Sequence, residues 1–116
     1  MKNDFIFNKA YAFALRVVKL YRYLCGEHKE FVLSKQLLRS GTAIGALLSE
    51  AKFAQSKADF INKQNIALKE ANESLYWLNL LKDTNYLNQK EYDSIYLQAD
   101  ELVKLLVSSI KKLKEN

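Results

Sequence analysis

The sequence predicts an all-α fold, an up-down-up-down antiparallel four-helix bundle, and three observations support that prediction. The 116 residues contain no proline and only three glycines. Because proline lacks an amide hydrogen and clashes with the preceding helical turn, its absence leaves room for long helices. Apolar residues recur at spacings of three and four in four separate segments. The connections between these segments are short, which forces each helix to return beside the preceding one.

The first predicted helix has one apolar face and a glycine near its end. Since glycine readily takes the left-handed conformation that follows many helices, we expect Gly26 to end this helix. Its predicted core residues are Phe7, Ala10, Tyr11, Ala14, Val17, Val18, Tyr21, Leu24 and Cys25.

The second helix is predicted to run from about Glu30 to Phe53 and contains two glycines. Gly41 and Gly45 lie four residues apart, and each costs about 1 kcal/mol relative to alanine in a helix interior. We expect close approach of another helix to offset that cost, and a local bend is the alternative. The predicted core residues are Leu33, Leu37, Ser40, Ile44, Leu47, Leu48 and Ala51.

The third and fourth helices are predicted from their N-terminal signals. Ser56 precedes Asp59 by three residues and Asn88 precedes Glu91 by three, the spacing of a capping box. The predicted core residues are Phe60, Gln64, Ala67, Leu68, Ala71, Leu75 and Leu78 in the third helix, and Tyr92, Ile95, Ala99, Leu102, Val103, Leu106, Ile110 and Leu113 in the fourth. We expect one four-helix-bundle domain over residues 1–116.

Composition excludes several classes of protein. The single cysteine, Cys25, excludes an internal disulfide and a cysteine-cluster metal site. The apolar runs are only a few residues long, so we expect no membrane span. The N-terminus shows no signal-peptide core. We therefore expect a cytoplasmic protein that does not contact a membrane.

The candidate chemical groups predict no enzyme. The one histidine, His28, lies in the first predicted loop, whereas a di-iron bundle needs a Glu-x-x-His pair from each of two helices. Cys25 lies on the core face, where cysteine behaves as a small buried apolar residue. The sequence has no glycine-rich phosphate loop and no nucleophile elbow. We predict no catalytic residue, no metal and no cofactor.

One side of the third helix has two interpretations. Lys63, Glu70 and Trp77 are seven residues apart and share that side. They could form a ligand site, with a carboxylate beside an aromatic wall. We favour an ion-paired seam, in which Lys63 or Arg39 pairs with Glu70 and Trp77 fills a subunit contact, because partly buried charges need partners.

Two blocks of the sequence resemble a known family. The first is QLLRSGTAIG, residues 36–45, continuing to Glu50 and Ala51; the second runs from SKADF, residues 56–60, through IALKEA, residues 66–71, to YWL, residues 76–78. Over residues 7–113 the chain resembles the four-helix-bundle proteins encoded in 23S ribosomal RNA intervening sequences. The resemblance implies a cyclic homopentamer. A related branch, the accessory protein of diversity-generating retroelements, implies a basic pentamer that partners a reverse transcriptase and nucleic acid.

Apolar residues also lie outside the predicted core faces. Phe13 and Leu20 fall to the side of the first helix's stripe, and Tyr76 and Leu80 lie nearly opposite the core line of the third. A contiguous exposed apolar patch marks an interface, so we expect a homo-oligomer, and the resemblance makes it a pentamer. The expected subunit-contact residues are Phe13, Leu20, Ile66, Tyr76, Trp77 and Leu80.

Positive charge is concentrated in the first half of the chain. The formal net charge is +5, and residues 1–58 carry 10 Lys and Arg against 4 Asp and Glu. Such a face could simply be solvated, or it could bind phosphate. The residues expected to bind nucleic acid are Lys9, Arg16, Lys19, Lys35, Arg39, Lys52 and Lys57. We therefore predict a protein that binds RNA, DNA or a polymerase–RNA complex; the alternative is an adaptor that binds another protein through apolar faces.

Overall fold

Four helices run along nearly the whole chain. The structure, a computed structural model, describes the backbone of residues 2–115 and the side chains of residues 4–115. The helices are α1 (Lys2–His28), α2 (Leu33–Ala51), α3 (Lys57–Asp83) and α4 (Gln89–Glu115), and residues 2–115 contain no strand. A 27-residue helix is about 40 Å long, which accounts for the longest dimension of the molecule, 47 Å.

The helices pack in the order in which they occur. α1 contacts α2 and α4, and α3 closes the ring between α2 and α4, with no contact across the diagonals within the described residues. The prediction of an all-α antiparallel four-helix bundle is confirmed. A single core runs along the bundle axis, and its largest fully buried side chains are Phe13, Leu24, Leu37, Ile44, Leu78, Leu81, Leu102 and Leu106.

Both predicted N-terminal caps are confirmed. The Ser56 hydroxyl accepts a hydrogen bond of 3.0 Å from the Asp59 amide, while the Asp59 carboxylate accepts one of 3.2 Å from the Gln55 amide. At α4 the Glu91 amide donates to the Asn88 side chain at 2.8 Å, and the Asn88 amide donates to the Glu91 carboxylate at 2.9 Å. These bonds satisfy helix-end amides that have no partner within the helix.

The prediction that Gly26 ends α1 is wrong. The helix continues to His28, and the left-handed residue after it is Lys29, with φ 54°. Two hydrogen bonds stabilise this end: the Glu30 amide donates to the Leu24 carbonyl at 3.0 Å, and the Lys29 ammonium donates to the Gly26 carbonyl at 3.1 Å. They satisfy carbonyls of the last turn and offset the cost of a left-handed lysine.

The core face of α1 is rotated from the predicted one. Phe13, predicted to lie on a second surface, is 0% exposed inside the bundle, whereas Tyr11, predicted in the core, is 56% exposed. Leu20 also packs partly against the core. The reason is that α1 faces both α2 and α4, so the side toward α4 is covered as well. Phe13 is therefore not available for a subunit contact, and that part of the prediction is wrong.

The two glycines of α2 let α1 approach closely, as expected. A Cβ atom at Gly41 would lie 2.9 Å from Cγ2 of Val17, which is too close for any real contact. A Cβ atom at Gly45 would lie 3.8 Å from the Cβ atom of Ala10, an ordinary contact distance. Gly41 is thus the position where the α1–α2 packing requires glycine.

Alanine at two glycine positions is expected to change stability in opposite directions. Gly41→Ala should lower the free energy of unfolding by about 1–3 kcal/mol, because the stiff Val17 side chain cannot move aside. Gly26→Ala should raise it by up to about 1 kcal/mol, because Gly26 is helical and the Cβ atom of an alanine there would have no side chain or neighbouring element within 4 Å. Urea unfolding measures both. If Gly26→Ala destabilises the protein, Gly26 ends the helix after all; if Val17→Ala fails to relieve Gly41→Ala, the contact with Val17 is not the cause.

A buried carboxylate caps α2. Glu30, expected to begin that helix, lies before it with 8% of its surface exposed. Its carboxylate accepts hydrogen bonds from the amides of Val32, Leu33 and Ser34 at 3.1, 3.0 and 2.7 Å. Burial acts to raise the pKa of Glu30, but the hydrogen bonds from these three amides and the Ser34 hydroxyl outweigh it. The pKa of Glu30 therefore lies below its usual value of 4.5.

This cap is expected to make stability fall in acid. Because the folded-state pKa lies below the unfolded one, the stabilisation is complete above pH 4.5 and is lost as the pH falls through the folded-state pKa. Urea unfolding at about pH 5 and about pH 3 should therefore show a larger loss of stability for the parent protein than for Glu30→Gln, which has no charge at that position to lose. Equal losses in the two proteins would show that Glu30 contributes nothing to the pH dependence.

At neutral pH, Glu30→Ala should lower the free energy of unfolding by about 1–2 kcal/mol, because the cap of α2 is lost.

Candidate nucleic-acid interface

Two of the predicted phosphate-binding residues are held by α4. The Arg16 guanidinium donates to the Ser94 hydroxyl at 3.0 Å and to the Gln98 side-chain oxygen at 2.7 Å. The Lys9 ammonium forms an ion pair of 3.3 Å with Glu101. Both side chains therefore bridge α1 and α4, and their charges are partly used inside the chain.

Lys52 and Lys57 lie near the corner between α2 and α3. The Lys52 ammonium is 3.6 Å from the Asp4 carboxylate and 4.6 Å from the centroid of the Phe7 ring. Lys57 is exposed in the first turn of α3. Lys52 thus ties the start of α1 to the end of α2.

The remaining predicted cations lie on the outer face of α1 and α2. Lys19, Lys35 and Arg39 are exposed, and Arg22, which we did not predict, is exposed three residues after Lys19. We call Lys19, Arg22, Lys35 and Arg39 the basic strip. The i, i+3 spacing of Lys19 and Arg22 was the available sequence signal for the fourth member.

The packing of α1 against α2 determines where the four cations lie along the bundle axis. Gly41 lies against Val17, and the Cys25 sulfur is 3.9 Å from the Ser34 hydroxyl, so the two antiparallel helices are in register along this stretch. Positions near 19 on α1 are consequently level with positions near 39 on α2, and positions near 22 with positions near 35. The basic strip is therefore two pairs of cations about one helical turn apart, with a rise of about 4.5 Å from Lys19 to Arg22.

The part of the chain that the structure describes places no carboxylate in an ion pair with the strip. Among residues 4–115, none of its four side chains forms an ion pair with a carboxylate within 4.0 Å. Neighbouring acidic groups act elsewhere: Glu30, in the turn before α2, caps that helix, Asp4 of α1 lies 3.6 Å from Lys52, and Glu50 of α2 pairs with Lys63 at 3.3 Å. Glu27 lies about 140° around α1 from Arg22 at 100° per residue. The strip is therefore a site of positive charge on a surface formed by two packed helices.

Such a surface can bind the backbone of a nucleic acid. Lys and Arg side chains neutralise phosphates and release condensed counterions, and this contribution needs no base-specific contact. The charges of a nucleic-acid strand recur about every 3.4 Å along a duplex axis, which is comparable with the rise between neighbouring cations here. The strip can therefore follow one strand without reading its sequence.

Apart from the buried Phe13, one of the predicted subunit-contact residues is exposed and four are half-buried. Tyr76 is 58% exposed and its ring meets the edge of Trp77, with the centroids 5.0 Å apart. Leu20 and Trp77 pack partly against the core, and Ile66 and Leu80 are half-buried. The indole N–H of Trp77 has no acceptor among the described residues. The structure also exposes large apolar side chains that we did not predict, including Phe5, Leu15, Leu97 and Val107.

His28 and Cys25, the two side chains considered above for metal binding or catalysis, make contacts at the turn between α1 and α2. The His28 ring lies 3.2 Å from the Tyr23 hydroxyl and edge-on to Tyr86. The Cys25 sulfur is half-buried and donates to the Glu30 carbonyl at 3.7 Å. These groups hold the turn between α1 and α2.

The predicted pairing of Glu70 is wrong. Lys63 pairs with Glu50 of α2, and in the part of the chain that the structure describes neither Lys63 nor Arg39 forms an ion pair with Glu70. Glu50 is the nearer partner because α2 and α3 are adjacent and antiparallel.

Within the described residues, no three His, Cys, Asp or Glu side chains come together as a metal site would require. A search of the same residues finds no helix with the length and apolar content that a membrane span needs.

Comparisons with known proteins agree on one family. The family model of the 23S rRNA-intervening sequence protein matches residues 2–108. A solved structure from Bacteroides thetaiotaomicron, described as a protein of unknown function from the S23 ribosomal protein family, is 57% identical. That match covers 96% of this chain and 99% of the other, with a TM-score of 0.93. No curated protein is significantly similar to the chain.

Proposed function

The chain belongs to the family of 23S rRNA-intervening sequence proteins, and on that premise we propose that it is a non-catalytic cytoplasmic protein that binds RNA through the basic strip. The observation that carries the proposal is the set of four exposed cations on α1 and α2 that have no carboxylate partner among residues 4–115. A merely solvated surface is usually a mixture of both signs of charge. All four charges of the strip are positive.

Binding of this kind is electrostatic and independent of sequence. The strip consists of four exposed Lys and Arg side chains, and such cations neutralise phosphates without reading base edges. Phosphate contacts position a strand without specifying it. We therefore propose an accessory role, in which the protein holds RNA for a polymerase such as a reverse transcriptase or holds it in a ribonucleoprotein particle.

We also propose that the protein is a homo-oligomer, specifically a pentamer. The support is the apolar surface that one bundle leaves exposed, including Tyr76, 58% exposed, and Leu97, 68% exposed. A ring would repeat the basic strip in each subunit and strengthen its field. Light scattering at micromolar concentration is expected to give a mass several times 13.4 kDa. A monodisperse species of 13.4 kDa would show that these residues do not mediate self-association.

RNA binding is tested with two variants of equal charge. The strip variant is Lys19→Gln/Arg22→Gln/Lys35→Gln/Arg39→Gln, and the control variant is Lys69→Gln/Lys90→Gln/Lys111→Gln/Lys114→Gln, at exposed positions on α3 and α4. Neutralising four cations lowers the formal net charge from +5 to +1 in both. Filter binding to unrelated RNAs should show weak binding for the strip variant and near-parent binding for the control variant.

Two outcomes would contradict the proposal. If the parent binds no RNA at low salt, the basic strip is only a solvated surface. If both variants weaken binding equally, net charge rather than the strip is responsible. Salt-insensitive binding to a protein partner through the apolar faces would then favour the adaptor alternative.

A further inference from the structure

An exposed aromatic residue continues the basic strip along α1. Tyr11 is 56% exposed and precedes Arg22 by eleven residues, close to three full turns, so the two point in directions about 20° apart. Leu15, 50% exposed, lies between them on the same side. Tyr11 and Arg22 are about 16 Å apart along the helix. The outer face of α1 is therefore aromatic at one end and cationic at the other.

The Tyr11 ring is held in place by its neighbour. Its centroid lies 6.2 Å from that of Phe7, and the two rings are inclined by 28° in a stacked arrangement. Phe7 is itself covered by the Lys52 ammonium, 4.6 Å from its ring centroid. An aromatic ring that is braced on one side and open on the other can accept a nucleobase with little loss of conformational freedom.

We propose that the nucleic acid bound by this protein is single-stranded, with its phosphates on the basic strip and a base stacked on Tyr11. This inference rests on the proposed function and narrows its substrate class. A base–aromatic stack requires an unpaired base with a free face, and sequence-tolerant single-strand binding combines such stacks with a basic track. A duplex keeps its bases stacked on one another, so it would use the cations but gain nothing from Tyr11.

The test compares single-stranded and duplex RNA on the same protein. Fluorescence anisotropy is measured with an unstructured RNA of about twelve nucleotides, its duplex, and single-stranded DNA of the same sequence. Tyr11→Ala should weaken binding of the single strand about tenfold, which corresponds to about 1.4 kcal/mol of stacking. The same change should leave duplex binding and the salt dependence unaltered. Single-stranded DNA should lose a similar factor, because stacking does not involve the sugar.

Two further variants separate stacking from other roles of Tyr11. Tyr11→Phe keeps the ring and should retain parent affinity, whereas Leu15→Ala removes a neighbouring apolar side chain without a ring and should change little. Circular dichroism and light scattering are recorded on each variant.

The outcomes distinguish this inference from the proposed function. Equal binding of duplex and single strand with no effect of Tyr11→Ala would overturn the inference and leave the proposed function standing. Absence of binding to any nucleic acid would overturn the proposed function itself. A smaller oligomer in Tyr11→Ala would overturn the inference by assigning the ring to a subunit contact.

Discussion

Phe13→Ala is expected to lower the free energy of unfolding by about 3–5 kcal/mol. Phe13 is 0% exposed and belongs to the core cluster that all four helices share. Removing a buried phenyl ring loses the favourable free energy of transferring that ring out of water. It also leaves a cavity that the surrounding helices close only in part. With a total stability of the usual 5–15 kcal/mol, such a loss takes a large share of the whole.

Tyr11→Ala is the matched comparison for that prediction. Tyr11 lies two residues away on the same helix but is 56% exposed, so its truncation is expected to cost no more than about 0.5 kcal/mol. Urea unfolding followed by circular dichroism gives both values. The reverse order, with Tyr11→Ala the more damaging change, would mean that α1 faces the core as the sequence pattern predicted.

Local interactions explain why α3 and α4 were predicted well. The caps at Ser56 and Asn88 depend on residues no more than three positions away, so the sequence spacing contains the whole interaction. The core residues of α4 recur every three or four positions through Ile95, Ala99, Leu102, Leu106 and Ile110, as one helical face requires. Two apolar residues outside this face, Leu97 and Val107, are exposed.

The core face of α1 depends on its neighbours in the fold. Aromatic residues stand at both 11 and 13, and the apolar spacing of three and four can be drawn through either. The choice is made by two other helices: Gly41 lets α2 approach Val17, and α4 covers the side that contains Phe13. Neither contact is visible in the sequence of α1 alone.

The sequence alone does not show which cations of the candidate site are exposed and unpaired. The sequence shows that Lys and Arg are concentrated in the first half of the chain, but which of them are held inside the chain depends on partners far along the sequence. Arg16 donates to Ser94, 78 residues away, and Lys9 pairs with Glu101. The sequence of α1 alone does not show which of its cations form hydrogen bonds or ion pairs with α4. The role of the remaining cations in binding stays a prediction.

Neutralising the basic strip is expected to lower RNA affinity by at least about 100-fold at 0.1 M salt. Each phosphate contact contributes about 0.7–0.9 to the slope of log affinity against log salt, which makes its effect large when salt is low. Four contacts would contribute about 3 to that slope if every cation reaches a phosphate. The substitutions are on exposed positions, so helicity and oligomer size should match those of the parent.

The salt dependence of RNA binding tests the central claim most directly. Log affinity is measured against log salt for the parent protein, the strip variant and the control variant, with the same unstructured RNA. The slope of the strip variant is expected to be shallower than that of the parent by about 2–3, whereas the control variant should follow the parent. Parallel lines for the parent and the strip variant would contradict the claim that Lys19, Arg22, Lys35 and Arg39 bind the phosphates.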